Sequence, residues 1–192
     1  MNRLDAPQAR DHLEMVDRIL AESHPRLCAG GEFFVIWGIA SAFATVVFAL
    51  ADRNAIPAAA LWSVPLVLIA AALYTSVRAR SLRRTLARTS LVQREFFNVL
   101  WLTIGLAFIA DAAAYRIFAG TASAAIWSIA EAIVLLYIGM HGNRRAQIAG
   151  LLVVVSLVAA NFVAAPIAPY VLAAGMLVGY GGFGASELLA RD

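Results

Sequence analysis

From residue 31 to residue 190 the chain is a succession of apolar runs, at about 33 to 51, 56 to 77, 96 to 118, 121 to 140, 148 to 165 and 170 to 190. Each is close to the roughly 20 residues that an α-helix needs to cross a ~30 Å hydrocarbon layer. The breaks between them are Asp52-Arg53-Asn54, a basic stretch from Arg78 to Arg94, Ala119-Gly120, His141-Gly142-Asn143-Arg144-Arg145 and Pro166-Ile167-Ala168-Pro169. All but the basic one are too short to hold a domain. Hydrophobic side chains make up 62% of the chain and charged ones 14%, against about half and a quarter in soluble domains, which excludes an ordinary water-soluble fold. The expectation is an all-α polytopic membrane protein: a six-transmembrane-helix bundle over 31–192 built from three in-out-in hairpins.

All 15 basic residues are Arg, and their placement sets the orientation. With the N-terminus inside, thirteen fall in cytoplasmic segments, and only Arg53 and Arg116 face out. By the positive-inside rule both termini are expected in the cytoplasm. Trp37, Trp101, Tyr74 and Tyr137 then lie towards the inner interface and Trp62 and Trp127 towards the outer one, as anchors. High Arg and Ala usage without Lys fits a GC-rich bacterial genome, and so an inner (plasma) membrane. Cys28 is the only cysteine, so no disulfide framework exists within the chain. The first thirty residues hold Asp5, Asp11, Glu14, Asp17 and Glu22 and no apolar core, unlike a cleavable signal peptide. Residues 8 to 23 instead set Leu13, Val16, Ile19 and Leu20 on one helical face. Segment 1–30 is therefore expected to carry an amphipathic cytoplasmic helix that lies on the inner interface or docks a partner protein.

Glu32-Phe33-Phe34 with Trp37 recurs as Glu95-Phe96-Phe97 with Trp101, and Trp62-Ser63-Val64 recurs as Trp127-Ser128-Ile129. These echoes, at offsets of 63 and 65 residues, predict pseudo-repeats over about 31–94, 95–147 and 148–192. The P-x-[DE]-x-x-[KR] signature of mitochondrial carriers, which also have three two-helix repeats, is absent from all three hairpins.

An ionisable group in mid-bilayer needs a partner, a water-filled cavity or a function. Asp111 and Glu131 are the two that count. Tyr115 and Arg116 lie within about a turn of Asp111, and Asn161 is expected at a similar depth, so these five residues form the expected intramembrane polar site. Packing alone would neutralise Asp111 with Arg116 and leave Glu131 bonded to a neighbouring helix. Glu187 is expected to pair with a cytoplasmic Arg. Gly175, Gly179, Gly182 and Ser186 form a small-residue stripe that admits close helix packing, within the bundle or in a homodimer. Val178-Gly179-Tyr180-Gly181 resembles a potassium-channel filter, but Leu177 stands where that motif has Thr.

His12, His24 and His141 fall outside the bilayer or at its edge, and no Cys/His cluster is present, so no metal, haem or other cofactor is expected. The basic stretch is explained by anionic lipid, without nucleic acid. No nucleophile, base and orienter occur together, so no enzymatic activity is expected. Two functions remain: a non-catalytic accessory or partner-binding membrane component, or a small ion or solute transporter, proton-linked through the intramembrane carboxylates.

Overall fold

The computed structural model describes residues 14–15, 30–85, 91–114 and 121–190, so most of the segment carrying the expected amphipathic helix lies outside the described residues. The helices are α1 (Gly31–Asp52), a 3-10 turn (Ala58–Trp62) leading into α2 (Ser63–Thr85), α3 (Leu91–Ala114), α4 (Thr121–Met140) and α5 (Arg144–Ala159). A sixth rod is continuous through α6 (Ala168–Gly175), a π-helical segment (Met176–Gly181) and α7 (Gly182–Leu189). The described residues contain no strand.

Four rods are long and apolar enough to cross a membrane: Gly31–Asp52, Ala58–Ser81, Ala122–Met140 and Ala168–Leu189. One of the other two, α5, falls short of the sequence expectation: it has 16 residues and covers about 24 Å at the α-helical rise. The described apolar part of α3 is Asn98–Ala113, and the end of its expected span, to 118, lies outside the described residues. Helix α5 starts earlier than expected because Asn143 caps it, its Oδ1 accepting from Ala146 N at 3.0 Å. It ends at Ala159 rather than 165. Pro166 disfavours helix in the residue before it, and the chain leaves through short-range turns such as Asn161 N to Val158 O at 3.0 Å.

Contacts between the rods give their directions. Trp37 Nε1 donates to Thr75 Oγ1 at 3.0 Å and Arg78 Nε to Glu32 Oε1 at 2.6 Å, so α2 returns antiparallel along α1. Trp127 Nε1 donates to Asp111 Oδ2 at 3.3 Å, joining the end of α3 to the start of α4. A tight turn at Gly142, whose φ of 94° suits glycine, reverses α4 into α5. Arg53 stacks on Tyr170 at 5.0 Å, fixing one end of α1 to the start of α6. At the other end Asn143 Nδ2 donates to Glu187 Oε1 at 3.3 Å. This replaces the expected Arg partner of Glu187, while nearby Arg145 donates to the Ser186 carbonyl at 3.2 Å. The six rods thus alternate in direction, and Gly31 and Glu187 lie at the same end.

Rods α1, α4, α5 and α6–α7 make the core, in which Leu135, Val153 and Met176 are fully buried. Phe34 packs edge-on to Phe183 and tilted on Tyr180, with centroids 4.9 and 5.0 Å away. Glycine lets these rods approach. A side chain at Gly175 would strike Ser156, one at Gly179 would meet Val153 Cγ2 at 2.5 Å, and one at Gly38 would meet Gly181 N at 2.5 Å. Of the expected stripe, Gly175 and Gly179 therefore face α5. Gly182 has open space around it, and Ser186 bonds back to the Phe183 carbonyl. The close approach to α1 is made instead through Gly31, Gly38, Gly181 and Gly184. Helices α2 and α3 flank the core, packed on α1 and α4 respectively. The echoed residues accordingly sit in different surroundings, Trp37 half-buried and Trp101 exposed.

Candidate functional site

Glu131 lies at the middle of α4, and its side chain turns into the core. The residue is 7% exposed, although every neighbouring position on its helix face is apolar or a serine. Ser41, midway along α1, brings its hydroxyl within reach of the carboxyl. Oε2 has no hydrogen-bond partner. Tyr180, in the π-helical segment, is also buried and comes within electrostatic reach of the same carboxyl. The carboxyl thus sits where three core rods meet.

Hydroxyls surround this level, most of them already occupied by backbone. Thr45 Oγ1 donates to the Ser41 carbonyl at 2.9 Å and touches Met176 Sδ at 3.6 Å. Ser128, one turn from Glu131, donates to the Ala124 carbonyl at 2.9 Å, and Ser156 to the Val153 carbonyl at 2.7 Å. Such bonds satisfy a buried hydroxyl without needing water. They leave Ser41 as the hydroxyl within reach of Glu131 that is not taken up by a backbone carbonyl.

No family model, no characterised protein and no solved structure matches this chain. The site's chemistry is therefore argued from its own groups.

Of the expected five-residue cluster, the three described members, Asp111, Glu131 and Asn161, take separate partners or surroundings. Asp111 is half-buried on α3 and accepts from Trp127 Nε1. Trp127 precedes Glu131 by one turn on α4, so the two carboxyls come near in height while each takes a different partner. Asn161 is exposed beyond the end of α5, and its Nδ2 donates to the Leu157 carbonyl at 2.9 Å. In the antiparallel register that sets Gly139 on Gln147 and Gly150 on Leu135, Asn161 lies about 9 Å from the level of Glu131 along the helix axis. The two depths differ because the expected crossing runs to 165, whereas α5 ends at Ala159. Tyr115 and Arg116 lie outside the described residues. Sequence reasoning found Glu131 and missed Ser41 and Tyr180, since a single Ser or Tyr in an apolar run carries no signal of its direction. Among the described residues no group of three or more His, Cys, Asp or Glu could hold a metal ion.

Proposed function

We propose that the chain is a non-catalytic, multi-pass component of a bacterial inner membrane that works by binding a partner. In this reading all six rods cross the bilayer and both termini are cytoplasmic. The observation that carries it is the position of α2 and α3, each packed on one core rod with a long apolar face turned outward. Leu66, Ile69, Leu73 and Val77 on α2, and Leu102, Leu106 and Ile109 on α3, are all more than half exposed. Two flanking helices that add little to the core are what a partner-binding component offers to another membrane helix. The segment over residues 8 to 23 would add a cytoplasmic contact.

The alternating rods support six crossings, since a chain that returns to its starting end after each pair leaves α3 and the short α5 bridging the same layer as their neighbours. Local thinning accommodates such helices at modest cost. Exposed Arg78, Arg80, Arg144 and Arg145 share the end that holds Gly31, and Arg53 lies at the other, which supports a cytoplasmic first end. A photo-crosslinker placed at Leu73 or Leu102 in intact membranes tests the partner. One defined protein adduct, absent from a probe at core Leu135, is expected, and adducts to lipid alone would overturn the reading.

A small-solute or proton-linked transporter is the second reading, and the bare Oε2 of Glu131 favours it. A mid-bilayer carboxyl with an unpartnered oxygen calls for a proton, a water or a small cation there. Asp111 and Asn161, engaged elsewhere, no longer contribute. In proteoliposomes Glu131→Gln should then abolish pH-driven flux without loss of insertion. Wild-type vesicles no more permeable than empty ones would end this reading.

A further inference from the structure

A groove of about 350 Å³ runs between α1 and α2, lined by Ile36, Ile39 and Ala40 on one side and Val67, Ala70 and Tyr74 on the other. These positions form one face of each helix, and the alanines are too small to close the gap between them. The two helices are pinned at one end of it by the Trp37–Thr75 bond and, a turn further on, by the Arg78–Glu32 pair.

The next position on the same face of α2 after Tyr74 is Arg78. Its Nε is held by Glu32 Oε1, and the Tyr74 hydroxyl donates to Glu32 Oε2 at 3.3 Å. The Nη donors have no partner among the described residues, and the side chain is 45% exposed. The site is thus a carbon-lined trough that ends at an open pair of cationic donors. Arg80 is exposed two residues on, so Arg78 and Arg80 set two positive charges against the one carboxylate of Glu32 at this end.

We propose that this groove binds one anionic phospholipid, with an acyl chain along the α1–α2 trough and the phosphate on the Nη donors of Arg78. A guanidinium presents parallel N–H donors that match phosphate oxygens. Basic sites between helices at the cytoplasmic face hold anionic headgroups on the same principle. A zwitterionic lipid would bring its own cation against this Arg-rich end. A second copy fits less well, because a helix about 10 Å across cannot enter a trough between two helices already in contact. The inference rests on the Arg-rich end marking a membrane boundary, which cysteine accessibility at positions 84 and 144 reads separately.

The test uses the full chain, delipidated in detergent and then given phosphatidylglycerol or phosphatidylcholine, with retained lipid counted by native mass spectrometry. One phosphatidylglycerol per chain should be retained in preference to phosphatidylcholine. Arg78→Gln should lower that retention about fivefold, the weight of one Arg at an anionic surface, and leave phosphatidylcholine unchanged. Arg80→Gln, on another face of α2, should have little effect. Ala70→Trp fills the trough from its exposed side and should displace both lipids without touching the Glu32 pair, so it carries the test even where Arg78→Gln unfolds. Equal retention of the two lipids by the wild type, or undiminished retention by a folded Ala70→Trp, would overturn the proposal. So would a dimer cross-linked through position 70.

Discussion

A carboxyl buried at mid-helix with an unpartnered oxygen depends on whatever polar group lies within its reach. For Glu131 that group is Ser41, across the α1–α4 contact. Its removal should therefore cost more than the ~0.6 kcal/mol typical of a hydrogen bond between membrane helices. Ser41→Ala is expected to destabilise by about 1–3 kcal/mol, the penalty of a stranded buried polar group. In a Glu131→Leu background the same change should cost almost nothing, because the stranded group is gone. Thermal unfolding of the four proteins in one detergent measures the coupling, and equal costs in both backgrounds would show that the two side chains do not act as a pair. At the other carboxyl, Asp111→Asn keeps an acceptor for Trp127 Nε1. It should shift stability by less than about 0.6 kcal/mol, whereas Trp127→Phe leaves Asp111 without its donor and should cost more.

Glycine does different work at different places along the rods, and substitutions should sort accordingly. At Gly38 an added Cβ would sit 2.5 Å from Gly181 N and 2.8 Å from Gly181 Cα, both backbone atoms that cannot swing away. Gly38→Val should force α1 off the sixth rod at a cost of about 1–3 kcal/mol. Gly105 and Gly182 have nothing within 4 Å, so alanine there should stabilise by about 0.5–1 kcal/mol through helix propensity. Melting temperatures of the three variants decide it, and a harmless Gly38→Val would mean that the approach of α1 to the sixth rod is looser than described. The rods themselves were legible in the sequence, because each apolar run must end where charge or proline begins. Their neighbours were not. Leu135 is fully buried and Leu102 is 63% exposed, yet both stand in runs of similar composition, since lipid and protein core select the same side chains. Hydropathy thus reports depth and leaves rotation about the axis open, which is why Glu131 was found and the α1 glycines were passed over. The small residues at Gly31, Gly38, Ala42, Thr45 and Ala49 recur at intervals of seven, four, three and four, and were the signal that could have found that contact.

For the molecule as a whole, the alternating rods and one-sided Arg distribution make accessibility the decisive measurement. With Cys28 replaced by Ala, Arg53→Cys and Ile167→Cys should react with an impermeant reagent on intact cells. Arg84→Cys and Arg144→Cys should react only after permeabilisation, and labelling at 84 from outside would overturn the six-crossing orientation. The sixth rod, set against α1 on one side and α5 on the other, has a further consequence in time. A membrane chain is delivered from its N-terminus, so α1 reaches the bilayer long before residues 168–189 exist to cover it. During that interval each hairpin has its own contacts, but the flat glycine surface of α1 and the bare carboxyl on α4 face whatever is nearby. Burial of both is therefore expected only when the final rod is inserted. A chain stopped at Ile167 should enter the membrane with its first five helices correctly oriented and yet be degraded as an unassembled protein.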